Sequence, residues 1–126
     1  MMASYKPFDR PAVVPRLFTA DVEGLVAFLK AAFGAQGDFV RDRPTELVIG
    51  DSVIMVADGG GVRKPTSSAF YVYVADVEEA WARAVAAGAE SYSPPEDMPW
   101  GDRRAIVNDA WGNHWQIARH AGGKAN

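Results

Sequence analysis

The sequence predicts an α+β fold of two βαβββ modules, whose strands form a curled, mostly antiparallel sheet with the helices on its outer face. Three observations predict it. The chain repeats itself: "LFTADVEGLVAFLKAAFGAQ" (Leu17–Gln36) and "YVYVADVEEAWARAVAAGAE" (Tyr71–Glu90) share ADVE, at Ala20–Glu23 and Ala75–Glu78, and both leave through Gly-Ala. A repeat on this scale outranks most local signals in fixing a fold. Each copy passes from a short apolar, β-prone run into helical periodicity. Each is then followed by β-rich runs with matching ends, "VIMVA" (Val53–Ala57) and "HWQIA" (His114–Ala118). Helices on one side of such a sheet give a layered α+β architecture. The second β-β-β tail argues against a single ferredoxin-like domain.

Taken in order, the first strand leads to Asp21, whose carboxylate can accept the unpaired N–H groups of a helix start. Val22, Leu25, Val26, Leu29 and Phe33 follow at helical spacing, and Gly34 supplies the left-handed stop. "GDFVRD" (Gly37–Asp42) is a candidate strand. "TELVIGDSVIMVA" (Thr45–Ala57) reads as a hairpin around Gly50-Asp51, and Asp58–Ser68, rich in Gly and Ser with one Pro, as the linker. The second half repeats the plan. Asp76 caps a helix carrying Val77, Ala80, Trp81, Ala84 and Val85, and Gly88 ends it. "ESYS" (Glu90–Ser93) is a candidate strand, and "SPPEDMPWGD" (Ser93–Asp102) an irregular loop. "RRAIVNDAWGNHWQIA" (Arg103–Ala118) is a hairpin around Asn108–Asn113. The expected organisation is one domain over residues 1–126, with module one at about 11–58, the linker at about 58–68 and module two at about 69–119.

At 126 residues the chain suits one domain or two small modules sharing a core. With no cysteine, disulfides, thiolate nucleophiles, Fe–S clusters and cysteine-bearing zinc sites are excluded. The net charge of −3, with both signs interspersed, predicts no nucleic-acid partner, which would need a concentrated basic surface. The first residues lack the basic flank and apolar stretch of a signal peptide, and no apolar run is long enough to span a bilayer. The expectation is a cytoplasmic globular protein with no membrane partner. G-x-S-x-G, P-loop and H-E-x-x-H motifs are absent from the sequence.

The tail "PWGDRRAIVNDAWGNHWQIA" (Pro99–Ala118) resembles the WG-x-R … D-P-x-G-x-x-W ending of the PhnB-like branch of the vicinal oxygen chelate superfamily, the glyoxalase, bleomycin-resistance and extradiol-dioxygenase group. "VVPRLFTADVEGLVAFLKAAFGA" (Val13–Ala35) is similar to that branch's first strand and helix. Ala110 stands where the branch has proline. The resemblance runs from about Val13 to Arg119 and implies a homodimer and a cavity inside the curled sheet. In metalloenzyme members that cavity holds a divalent cation on four His, Gln or Glu side chains. Carried onto this sequence, the four positions are Val14, Met55, Ala69 and Gln116. Valine and alanine offer no lone pair, methionine is a soft ligand, and Gln116 alone suits a hard cation. No metal site and no other cofactor is therefore expected, although His114, two residues from Gln116 on the same strand face, could be recruited to a displaced divalent-metal site.

Strand alternation then places Arg16, Phe18, Met55, Tyr71, Tyr73, His114 and Gln116 in the cavity, and Leu17, Ile54, Val56, Phe70, Val72, Val74, Trp115 and Ile117 against the helices. Trp100 and Arg103, beside the last hairpin, are candidates for its rim. Tyr71 and Tyr73 offer ring faces and hydroxyls, and Arg16 can meet a carboxylate or phosphate. Blander readings stand beside these: Arg16 paired with a carboxylate, the tyrosines as filler or dimer contacts, His114 as a structural histidine, Arg103 as a pin for its loop. No catalytic residue is assigned. The leading function is metal-free binding of a hydrophobic or aromatic small molecule. The alternatives are a divalent-metal-dependent lyase, isomerase or dioxygenase with a displaced site, and a non-enzymatic protein-interaction module.

Overall fold

Both helices begin at the predicted carboxylates. The Asp21 side chain accepts from the Gly24 amide at 3.0 Å and opens α1 (Val22–Phe33), while Asp76 accepts from Glu79 at 3.1 Å and opens α2 (Val77–Ala86). Gly34, at φ 67°, closes α1 by donating to the carbonyls of Leu29 and Lys30, in the left-handed conformation that glycine adopts without strain. The computed structural model describes residues 5–6, 10–59 and 64–120. Its strands are β1 (Arg16–Phe18), β2 (Thr45–Ile49), β3 (Ser52–Ala57), β4 (Ala69–Tyr73), β5 (Glu90–Asp97), β6 (Asp102–Asn108) and β7 (His114–His120).

They form two mixed sheets, neither closed. Sheet A has the order β1-β3-β2, with β1 parallel to β3 and β2 antiparallel to it. Sheet B has the order β4-β7-β6-β5, with β4 parallel to β7 and the other pairs antiparallel. The predicted strand at Gly37–Asp42 is absent. Only Gln36 bridges to Val48, and the chain then turns, with Thr45 Oγ1 accepting from the Val40 amide at 3.0 Å and Pro44 supplying no N–H. Module one is thus βαββ. In module two the predicted loop at Ser93–Asp102 is largely strand, because β5 runs on to Asp97. It carries register shifts between Ser91 and Ser93 and between Ser93 and Glu96. Pro94 and Pro95 fall in the register slip between Ser93 and Glu96 on the edge strand β5, where neither missing donor is needed by the β6 ladder. Part of the predicted linker, 60–63, lies outside the described residues; Thr66 within it bridges to Phe18.

One core serves both halves. Leu17, Ile54 and Val56 of sheet A, Trp115 and Ile117 of sheet B and Leu25, Leu29 and Ala84 of the helices are buried in one cluster, with Phe70, Val72 and Val74 packed against it. Phe33 of α1 lies 4.9 Å from Trp115, which stacks on Phe70 at 4.6 Å, and Phe28 lies 5.9 Å from Trp111. The predicted helix-facing set is therefore the observed one. The turn before β7, with Ala110 in it, is held by side-chain bonds. Asp109 accepts from the Trp111 and Asn113 amides, from Asn113 Nδ2 and from Trp115 Nε1, all within 3.0 Å. Among the described residues no helix is long and apolar enough to cross a membrane.

Candidate functional site

With the helices on the outer face, alternate residues of each strand point the other way, onto an inner face. On sheet A, Arg16 pairs in register with Met55 and Phe18 with Ala57. Arg16, Phe18 and Ala57 line an open groove of about 1120 Å³, and Met55 lies beside Arg16 in an adjoining hollow with Glu46. A groove of this size admits a drug-sized ligand. Its other wall is the irregular segment from Phe39 to Pro44. Arg10 reaches in from the N-terminal segment to pair with Glu46.

On sheet B the inner face holds a different assembly. Tyr71 pairs with Gln116, Tyr73 with Ala118, and across β6 lie Asn108, Ile106, Arg104 and Asp102, opposite His114, Gln116, Ala118 and His120. Asp102 is buried, at 4% exposure, and is the hub. It accepts from the Tyr71 hydroxyl at 2.7 Å and from the Tyr73 hydroxyl at 3.2 Å, and its second oxygen lies 3.0 Å from His120 Nδ1. The Tyr71 hydroxyl does most to hold the Asp102 carboxyl below its ordinary range, followed by His120. Desolvation, and then the bond to Asp102, raises both tyrosine hydroxyls. The rings remain open to solvent: Tyr71 is 39% exposed, Tyr73 63% and Trp100 48%. Trp100 Nε1 donates to the Tyr71 hydroxyl at 3.4 Å, which sets the indole at the rim of this face.

Gln116 decides how the site fits a divalent cation. Its Oε1 accepts from Arg104 NH1 at 2.8 Å, so the one hard donor among the four family positions already serves a cation. His114 Nδ1 lies 3.1 Å from Asn108 Oδ1, with the ring 6.4 Å from Tyr92. Val14, Met55 and Ala69 add no hard donor. Among the described residues no group of three or more His, Cys, Asp or Glu could hold a metal ion. The donor set does not fit the superfamily's cation.

The sequence-predicted residues thus divide. Arg16, Phe18 and Met55 gather on sheet A, and Tyr71, Tyr73, Trp100, His114 and Gln116 on sheet B. The core contacts between the halves run through the helix-bearing faces, and among the described residues the sheet A groove is lined from within 14–59. Arg103 stands apart: it points from β6 toward α2, with NH2 2.6 Å from Glu78 and NH1 3.0 Å from Asp97, as a pin for its loop would. Alternation along β6 carries Asp102 and Arg104 inward and Arg103 outward. The expectation missed Asp102, Arg104 and His120, although the same alternation, extended from Asn108 and Gln116, finds all three.

A duplicated strand–helix plan and two mixed sheets joined through their helix-bearing faces define the class of protein. The chain belongs to the Glyoxalase/Bleomycin resistance protein/Dioxygenase superfamily, whose family model matches residues 11–117. It is 30% identical, over 86% of its length, to uncharacterized proteins of Mycobacterium bovis and Mycobacterium tuberculosis, covering 83% and 74% of those chains. Among solved structures it is similar to TioX from Micromonospora sp. ML1, at a TM-score of 0.73 and 30% identity over 87% of this chain and 98% of that one. It also shares its fold with a superfamily member from Sphaerobacter thermophilus, at a TM-score of 0.67 and 23% identity over 86% and 98% of the two chains.

Proposed function

We propose that this chain is a metal-free binding protein for a hydrophobic or aromatic small molecule, held on the inner faces of its sheets. The observation that carries the reading is the Gln116–Arg104 bond beside the exposed rings of Tyr71, Tyr73 and Trp100. A guanidinium on the candidate ligand opposes a cation there, and ring faces with hydroxyl handles suit a planar organic guest. We further propose a homodimer. Among the described residues sheet B gives the sheet A groove no wall, and a second copy would supply one.

The test is metal content by mass spectrometry on protein purified without chelator, with thermal shifts on adding Ni, Zn, Mn and Mg and on adding a panel of planar aromatic compounds. The expected result is substoichiometric metal, no metal-induced shift, and saturable stabilisation by some aromatic compounds. Stoichiometric metal that is lost on Gln116→Ala would overturn the reading and return a displaced-site lyase, isomerase or dioxygenase to the front. Sedimentation in the same buffer reads the dimer independently.

A further inference from the structure

Among the described residues, one cation on the inner face of sheet B has no counter-ion within ion-pair distance. Arg104 NH1 donates to Gln116 Oε1, and its guanidinium carbon sits 5.3 Å from the centroid of the Trp100 ring. It is half-buried, and among the described residues it forms no ion pair. Two carboxylates stand close enough in the register to have taken it. Asp102, two residues along the same strand face, is committed to the Tyr71 and Tyr73 hydroxyls and to His120. Glu96, its register neighbour on β5, makes no bond to it. A guanidinium held in place by an amide and an indole, with most of its N–H groups unused, is preorganised for an incoming planar anion. Little side-chain freedom remains to be lost on binding.

We infer that Arg104 is the anion-recognising residue of this face, and that the ligand it serves is a planar aromatic monocarboxylate. The inference rests on the proposed function and names the class of ligand. The exposed Tyr71 and Tyr73 rings, 5.4 Å apart, offer the apolar surface for the aromatic body. The free edge of the guanidinium offers two parallel N–H groups, which match a carboxylate. The Asp102 and Glu96 carboxylates beside Arg104 oppose a second negative charge such as a phosphate dianion carries, so a monoanion is favoured over a dianion.

The test compares 2-naphthoate with 2-naphthamide, of equal shape and different charge, by titration calorimetry on the full chain, together with Arg104→Met and with Arg83→Met, a control that removes a cation from the outer surface of α2. In the wild-type protein the carboxylate is expected to bind about tenfold or more tighter than the amide, the ratio that a charge-assisted pair provides. Arg104→Met should bring the ratio close to one while the amide still binds, and Arg83→Met should leave the ratio as it was. Equal affinity of the two probes for the wild-type protein overturns the inference and leaves aromatic binding standing. Binding of neither probe overturns both. The wild-type comparison decides even where Arg104→Met fails to fold, and Arg104→Lys, which keeps the charge and loses the fork, should then show a reduced ratio.

Discussion

Leu17 and Val56 of sheet A have counterparts in Val72 and Ile117 of sheet B, and all four face helices. One residue along, the correspondence changes character. Arg16, Phe18 and Met55 on the inner face of sheet A become Tyr71, Tyr73 and Gln116 on sheet B. The first set borders a groove roofed by an irregular segment, while the second carries a network joined to Asp102 and Arg104. Helix packing needs only an apolar surface of about the right volume, so duplication preserves it. An inner face has no such requirement, and there the halves are free to take up different chemistry.

The strongest way to break this comparison is to attack the shared outer face. Trp115 packs on Phe33 of the other half and on Phe70, and donates to Asp109 at 2.9 Å. Trp115→Ala should cost about 3–5 kcal/mol, the usual range for a buried aromatic. Urea unfolding should remain a single transition, because one core spans both halves. Two separated transitions, or a loss below about 1 kcal/mol, would show that the modules hold together by other means.

A smaller effect separates the two helix starts. Asp76 caps α2 and nothing more, so Asp76→Ala should cost about 1 kcal/mol. Asp21 caps α1 through Oδ1 and also accepts from Trp111 Nε1 at 3.1 Å through Oδ2, tying module one to module two. Asp21→Ala should therefore cost more than Asp76→Ala, by about 0.5–1.5 kcal/mol. Gly24 makes the second bond possible. A Cβ there would lie 2.1 Å from Asp21 Oδ2, whereas the matching position in α2 is Glu79. Gly24→Ala should fail to give the stabilisation that alanine otherwise brings to a helix. Equal urea midpoints for the two Asp→Ala variants would remove the tie between the halves.

What the sequence made legible follows the same division. The helix spans, their caps, both hairpins and the outward register came from periodicity, because burial against one shared core enforces it. Phe39 and Val40 looked like a strand, but two apolar residues before Arg41-Asp42-Arg43-Pro44 are too few to hold an alternation, and Thr45 turns the chain instead. Pro94-Pro95 looked like a loop because proline is barred from central strands, and β5's place at the edge is a tertiary fact. Arg103 looked like a rim residue because it leads into the last hairpin, with a pin for its loop as the alternative. The structure turns it to Glu78, and the neighbouring Arg104, which no motif marks, faces inward. The meeting of Tyr71, Tyr73, Asp102 and His120 joins three strands, and no local pattern encodes it.

The smallest effect expected is also the one that tests the inner face by itself. Asp102 has its carboxyl held below the ordinary range by hydroxyl and imidazole partners, so the folded protein binds that proton less tightly than the unfolded chain does. Its contribution to stability is complete above the unfolded carboxylate value and is lost as pH falls through the lowered folded value. Tyr71 and Tyr73 are raised, so their contribution is complete below the unfolded phenol value and is lost as pH rises through the folded ones. Asp102→Asn removes the carboxylate from the network. The difference in unfolding free energy between wild type and Asp102→Asn should therefore shrink as the solution is acidified below the ordinary carboxylate range. The effect is modest because solvent reaches Tyr73 and His120, the outer partners of the hub. A difference that is flat across the acid range would mean that Asp102 is no better solvated by its partners than by water. The aromatic face of sheet B would then be open surface rather than an organised one.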